Sequence, residues 1–342
     1  MDAGEIIDFS ASINPLGPPS SARKAFVNSY QEISRYPDPS AGTLKEAMAE
    51  RHGLQPAEVL VGNGSTQLIY LLCAALRPRT ALVIAPAFSE YTNALALIGA
   101  GVRRLSLIDD SSFQFSTEKL MAAWDEDCDL LVLATPNSVT GQLIPKAEIE
   151  NIARLALIRK KFVIIDEAFI DFVEDQSVKM LVRHNPFLIV LRSLTKYYAL
   201  PGLRLGYLIG EAGTVAKLAD YQEPWSVNGP AISVALACLA DGGFAAKTQR
   251  WLERERPFLF NRIRTLEGLQ PFPSKVNFFL VKITKPGIDA IELRSFLLRK
   301  KILIRACNSF IELDSSYFRA AVRRRKDNLR LLAGLHEWTR LK

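Results

Sequence analysis

Residues 187–206 read FLIVLRSLTKYYALPGLRLG: an apolar run that passes through Ser193, Thr195 and Lys196 and on to Arg204 among apolar neighbours. Consecutive rather than alternating apolar positions fit a strand buried on both faces of a largely parallel sheet. A lysine at the end of such a strand is partly withdrawn from water. Desolvation makes an amine neutral and nucleophilic near pH 7, the state a Schiff-base lysine requires. A lysine snorkelling from a strand end would leave the same letters. Arg204 and Ser193 could together supply charge and hydrogen bonds to a phosphate.

Working outward, the same apolar-then-turn pattern recurs in AEVLVGNGS (57–65), TALVIAPAF (80–88), DLLVLATPN (129–137), KFVIIDEAF (161–169) and LRLGYLIG (203–210). Helical patterns at 66–76 and 147–160 supply crossover connections, so the architecture is α/β with helices on both sides of the sheet. Beyond Pro230 the pattern changes to long helical segments. KVNFFLVKI (275–283), ILIRACNSF (302–310) and YFRAAV (317–322) then follow as strand candidates, with a closing helix from about Asp327. The reading divides the chain into an N-terminal arm (1–30), a large domain (31–236) and a smaller α+β domain (237–342). The run Asn14-Pro15-Leu16-Gly17-Pro18-Pro19 is too proline-rich for a regular element and reads as extended.

Composition narrows the function classes. The 342 residues are 49% hydrophobic and 23% charged, ordinary for a soluble globular protein. The longest apolar runs fall short of the roughly 18–20 residues of a membrane helix, and MDAGEIIDFS lacks the order of a secretory signal. A cytoplasmic protein without membrane partners is the expectation. Four scattered cysteines and three scattered histidines give no disulfide framework and no metal site. Much of the local positive excess within the net charge of +7 sits in Arg323-Arg324-Arg325-Lys326, which reads as a solvated helix face rather than a nucleic-acid site.

Ligands of open parallel sheets bind at the carboxyl ends of the strands, so the polar residues ending each apolar run carry the information. Gly62-Asn63-Gly64-Ser65-Thr66 opens a helix whose first amides can hold a phosphate, although the same letters make an ordinary strand-to-helix turn. Asp166 ends a fully apolar strand. It either caps the next helix or holds a proton on a pyridine nitrogen.

Taken in order, Arg35-Tyr36-Pro37, Gly62 to Thr66, Pro86-Ala87-Phe88-Ser89, Thr135-Pro136-Asn137, Asp166-Glu167-Ala168-Phe169, Ser193-x-x-Lys196 with Gly202 to Gly206, and Ser274 to Phe278 resemble the class I and II aminotransferases. These are pyridoxal 5'-phosphate enzymes of the aspartate-aminotransferase fold (fold type I). The resemblance implies that Lys196 carries the cofactor as a Schiff base and shuttles protons, and that Asp166 pairs with the pyridinium nitrogen. It implies that Asn137 bonds the ring hydroxyl and that Phe88 stacks on the ring. Gly64, Ser65, Thr66, Ser193 and Arg204 would surround the phosphate. Phe169 stands where many relatives have a tyrosine that touches the ring hydroxyl, so the tyrosine's hydrogen bond would be missing. Tyr36 would reach the phosphate of a neighbouring subunit, implying a homodimer with shared active sites.

Within the family, Arg319 in YFRAAV corresponds to the carboxylate-binding arginine. Arg305, fourteen residues earlier, resembles branches that bind a phosphorylated amino compound. DFSASINPLGPP (8–19) is similar to the opening of the L-threonine-O-3-phosphate decarboxylase branch of cobalamin biosynthesis, with Asn14 near the substrate; the histidinol-phosphate aminotransferases are the near relatives. Val139 and Thr135 depart from the family's asparagine-proline turn. The 13 residues ahead of Asn14 hold no counterpart of the His-Gly element usual in those decarboxylases. Either the start is truncated, another group fills the role, or the substrate differs. The implied reaction is decarboxylation of threonine phosphate to aminopropanol phosphate, with transamination of a histidinol-phosphate or aromatic type as the alternative. The two diverge in which bond at Cα lies perpendicular to the cofactor ring.

Overall fold

The computed structural model describes residues 5–107, 112–310 and 312–341. The chain begins with a short strand, β1 (Ile7–Asp8), and then builds a seven-stranded sheet from β2 (Val59–Asn63), β3 (Thr80–Ala85), β4 (Gly101–Ser106), β5 (Leu130–Ala134), β6 (Phe162–Asp166), β7 (Leu188–Ser193) and β8 (Leu205–Ile209). Their order is β2-β8-β7-β6-β5-β3-β4. The pairs from β4 across to β7 are parallel, and β8 alone runs against both its neighbours. Strands β5, β7 and β8 are buried at every position, which is why they read as continuous apolar runs. β4, GVRRLS, escaped that reading because it is an edge strand left largely uncovered, unlike β2 at the opposite edge. No further strand demands apolar residues of it, and two arginines lie along it.

The second sheet is antiparallel, with strand order β12-β13-β10-β9, and combines β9 (Leu269–Pro271), β10 (Phe278–Ile283), β12 (Arg305–Ala306) and β13 (Tyr317–Ala321). Between them β11 (Ile302–Leu303) pairs in parallel with β1, so the start of the chain is tied to its C-terminal third. The predicted 302–310 strand is therefore split. Its first half pairs with β1, and only Arg305 and Ala306 continue into the second sheet. One apolar core cluster runs from Phe9 through both sheets to Trp338, and a smaller one lies on the other face of the large sheet.

Two features go beyond the pattern read along the chain. Residues 20–29 form a helix that opens directly after Pro19 and packs on the helix Gly229–Leu239, with the Ser21 hydroxyl donating to the Ala237 carbonyl at 3.2 Å. Proline tolerated just ahead of a helix, where no amide is needed, explains why proline density did not exclude it. The basic run near the C-terminus is mostly exposed, as a solvated face should be, with only Arg323 half-buried, and its arginines also make contacts across the chain. Arg323 donates to the Asp8 carbonyl at 2.9 Å, Arg324 to the Pro15 carbonyl at 3.1 Å, and Arg325 pairs with the buried Glu255 at 3.0 Å. Arg323 and Arg324 thereby help to hold the N-terminal segment down. Among the described residues no single helix is long and apolar enough to cross a membrane.

Candidate active site

The carboxyl ends of β2, β6 and β7 open into a cavity of about 450 Å³, closed on the far side by β12, β13 and residues 10–13. Lys196 lies in the single helical turn Leu194–Tyr197 that follows β7, with Ser193 as its cap. Its Nζ donates to Thr195 Oγ1 at 3.1 Å and lies 5.9 Å from the centre of the Phe169 ring. Burial pulls its pKa down to about 8. Asp166 opposes that shift, and Arg319 and Arg204 reinforce it. A lysine so placed is a usable nucleophile near neutral pH.

Asp166, 4% exposed at the end of β6, accepts from the Tyr91 hydroxyl at 2.5 Å and from the Ala168 amide at 2.8 Å. Burial raises its pKa despite those donors and the charge on Lys196. It is a buried carboxylate with no cation in salt-bridge contact among the described residues, which is what a protonated heterocyclic nitrogen would complete. Tyr91 was not anticipated from sequence. Its position three residues after Phe88, at the start of the helix Ser89–Leu97, puts both rings on one helix face, and they meet edge to face at 5.9 Å. That spacing was the available signal.

On the opposite side of the opening, Ser65 and Thr66 sit in the first turn of the helix Gly64–Leu76 and line the cavity with Arg204. Gly64 has φ +79°, and a Cβ there would come within 2.9 Å of the Arg204 guanidinium. Gly206 is tighter still, since a Cβ would fall 2.3 Å from the Ser65 amide. The two glycines let β2, β8 and Arg204 converge on one small polar cradle at a helix N-terminus, a setting suited to a phosphate. Ser193 completes it, its hydroxyl 2.7 Å from that of Thr195.

The far wall carries two arginines opposite each other in the β12–β13 register, Arg305 and Arg319. Arg305 is exposed and bonds the Ser309 hydroxyl at 2.8 Å. Arg319 donates to the carbonyls of Ser138 at 2.7 Å and Ser10 at 3.4 Å, and its guanidinium lies 4.9 Å from the centre of the Phe278 ring. Burial, helped by Arg305, lowers its pKa to about 10. Neither arginine has a carboxylate partner among the described residues.

Most of the residues expected from sequence meet here: Ser65, Thr66, Phe88, Asp166, Phe169, Ser193, Lys196, Arg204, Arg305 and Arg319 all line the cavity. Three do not. Asn14 is buried and spends its amide on the chain itself, donating to the Tyr197 carbonyl at 2.9 Å and the Thr248 hydroxyl at 3.0 Å. It acts as a latch behind Lys196, whose carbonyl accepts from the Asn14 amide at 3.1 Å. Asn137 donates to the Pro86 carbonyl at 2.9 Å, and its Oδ1 accepts from the amides of Val139 and Thr140, each at 2.9 Å. Its neighbour Ser138 lines the cavity instead. Tyr36 is 83% exposed and stands on the outer surface beside Trp225, ring centres 5.0 Å apart.

A family model, aminotransferase class I and II, matches residues 4–335. The chain belongs to that family, and with it to the pyridoxal-phosphate-dependent enzymes of the aspartate-aminotransferase fold. It is 38% identical over 333 residues to the threonine-phosphate decarboxylase of Salmonella typhimurium, covering 97% of this chain and 90% of that one. Its structure superposes with a TM-score of 0.91 on histidinol-phosphate aminotransferase from Clostridium acetobutylicum (29% identity, 98% and 100% covered). The TM-score is 0.85 on L-threonine-O-3-phosphate decarboxylase from Porphyromonas gingivalis (25% identity, 98% and 100% covered). The residues present fit the cofactor, because an amine held near pKa 8, a buried carboxylate without a counter-cation and a glycine-backed arginine cradle surround one cavity.

Proposed function

We propose that this enzyme decarboxylates L-threonine O-3-phosphate to (R)-1-amino-2-propanol O-phosphate. The observation that carries the reading is the pair Arg305–Arg319: two adjacent guanidinium groups on one wall, without carboxylate partners among the described residues, suit a substrate bearing two anions. The 38% identity to a threonine-phosphate decarboxylase supports the same choice.

In this reading Lys196 holds the cofactor and Asp166 keeps a proton on its ring nitrogen, steadied by Tyr91. Arg204, Ser193 and the first turn of Gly64–Leu76 hold its phosphate. When bound, the cofactor supplies an electron sink for the bond broken at the substrate Cα. Arg319 takes the carboxylate, its own direction fixed by the carbonyls of Ser138 and Ser10, and Arg305 takes the phosphate. Residues 10–13 roof the cavity and exclude water. The Lys196 amine, close to its pKa at neutral pH, can return a proton to Cα once carbon dioxide has left. Arg319 decides which Cα bond faces the sink, and with it the choice between losing carbon dioxide and losing a proton. Transamination is the second reading, favoured by the likeness to the histidinol-phosphate aminotransferase structure. The working unit in this proposal is a homodimer. Tyr36, exposed and outside its own chain's cavity, is free to reach a neighbour's site.

Carbon dioxide release from threonine phosphate is the direct test, run beside histidinol phosphate with 2-oxoglutarate. Keto-acid formation without carbon dioxide overturns the first reading. Arg305→Ala should weaken threonine phosphate far more than unphosphorylated threonine; equal loss on both removes Arg305 from its role.

A further inference from the structure

At the end of the large sheet away from Lys196, the amino ends of β3, β5 and β6 and the last turns of the helices Gly64–Leu76 and Lys146–Arg159 enclose a second cavity, of about 490 Å³. Five cations line it, Arg77, Arg79, Arg159, Lys160 and Lys161, against one carboxylate, Asp129. Asp129 is already committed, accepting from the Arg79 amide at 2.8 Å and lying 3.5 Å from Arg79 Nε. The acids just before it, Asp125 and Asp127, are paired with Arg103 at 2.5 and 3.8 Å. The other four cations have no carboxylate partner among the described residues. Arg159 is held on the Trp124 carbonyl at 2.5 Å, and Lys161 on the carbonyls of Asp125 and Glu126 at 2.8 and 2.6 Å. Such contacts orient a charge without neutralising it. Basic residues at a helix C-terminus ordinarily balance the helix dipole, whose negative end amounts to about half a charge. Two helix ends offset about one charge in all, so the lining stays positive by about three. Arg77 and Lys160 add a second observation. Both cap their helices with left-handed backbone, φ 43° and 51°, where glycine is the favoured residue, so capping alone does not account for a long basic side chain at each. Between the cations the lining is apolar, with Leu130 buried and Leu76 and Phe162 half-buried.

We propose that this cavity binds an organic diphosphate, with its phosphates among the four cations that lack a carboxylate and its organic body against Leu76, Leu130 and Phe162. A diphosphate ester, with one charge on its inner phosphate and nearly two on the outer one, matches the excess of about three. An inorganic anion would leave the apolar part of the cavity unfilled. The inference is independent of the substrate reading, because this cavity shares no lining residue with the one around Lys196.

The test titrates the cofactor-loaded protein calorimetrically with adenosine diphosphate, beside adenosine monophosphate and inorganic pyrophosphate. The diphosphate should bind about tenfold more tightly than either, since the monophosphate lacks one anion and pyrophosphate lacks the apolar body. Arg77→Gly combined with Lys160→Gly should weaken it about tenfold or more. Glycine suits the backbone at both positions, so circular dichroism and Tm should not change. Lys161→Gln, which removes one charge and can still donate to the Asp125 and Glu126 carbonyls, should weaken it about threefold and serves if the double variant folds poorly. Arg305→Ala, in the other cavity, should change it by less than about twofold. No binding by the wild type, equal binding of all three probes, or a loss caused by Arg305→Ala and by neither of the other variants overturns the proposal.

Discussion

At the scale of single residues, the proposed chemistry centres on Lys196, whose amine is held near pKa 8 because burial disfavours its charged form. The sign of the linkage follows. In the unfolded chain a lysine titrates near 10.4, so without cofactor the fold carries a penalty below pH 8 that shrinks as pH rises towards 10.4. Lys196→Met should therefore stabilise the cofactor-free protein at pH 7, by about 3 kcal/mol from the size of the shift, and by progressively less towards pH 10.4. Urea titrations of both proteins across that range check it; a gain that does not change with pH would show that packing, not charge, is responsible. The same substitution should abolish turnover and the bound-cofactor absorbance band. Lys196 and Asp166 stood out because a charged residue ending a fully apolar run is costly to bury, whereas Arg305, which is exposed, and Arg319 were read from the family resemblance. Tyr91 and Ser138 did not stand out, because a tyrosine or serine in a turn is unremarkable as a letter. Only its partners give it meaning.

At the scale of elements, β6 and β7 are held in register behind the cavity by a buried ion cluster. Arg192, fully buried in β7, meets Glu167 at 3.0 Å, Asp171 at 3.3 Å and Glu174 at 2.5 Å, with Ser177 at 3.2 Å. Glu167 directly follows Asp166, and Arg192 lies four residues before Lys196, so the cluster sits behind the strand ends that carry Asp166 and Lys196. Arg192→Met would leave buried carboxylates without their cation and should cost about 3–5 kcal/mol in chemical denaturation. A loss below about 1 kcal/mol would mean that the carboxylates take up protons or water at little cost.

Beside this cluster His52 bonds the Tyr207 hydroxyl at 2.7 Å, and its pKa falls to about 3, chiefly through burial and then through Arg192 and Lys179. Because its folded pKa lies below the unfolded value near 6.5, it contributes stability above pH 6.5 that is lost as pH falls towards 3. His52→Gln should accordingly flatten the acid limb of stability against pH. An unchanged slope between pH 6.5 and 4 would assign that limb to other groups. The elements themselves were visible in sequence wherever both faces are buried. β4 was hidden because an edge strand is under weaker selection for apolar residues, and the 20–29 helix because the prolines before it drew attention from the helical pattern after it.

At the scale of the whole molecule, Phe26, Val27, Tyr30, Ile33 and Tyr36 leave a run of exposed apolar and aromatic side chains on the N-terminal segment. Large exposed apolar groups close together mark an interaction surface. In the homodimer reading, sedimentation should give a dimer for the wild type, and Ile33→Asp should shift it towards monomer with loss of activity in proportion. A wild-type monomer with full activity would exclude shared sites. The four cysteines are buried, and burial pushes the thiols of Cys73, Cys238 and Cys307 up to about 11–12. They should react with a thiol reagent only as the protein unfolds.

The sequence by itself determined the fold class and the strands buried on both faces, because such burial constrains the letters directly, and its family resemblance marked Lys196 and Asp166 as candidates. The tertiary structure decided which member of the Asn137–Ser138 turn faces the cavity. It turned Asn14 into a latch, gave Arg323 and Arg324 of the basic run bonds to the N-terminal segment, and tied the first strand to the C-terminal third. Each of these depends on where a side chain's hydrogen-bond partners lie in space, at separations of hundreds of residues for Asn14 and the basic run, and in the Asn137 turn on a backbone path that rotates neighbouring residues to opposite sides. Local sequence carries no record of either.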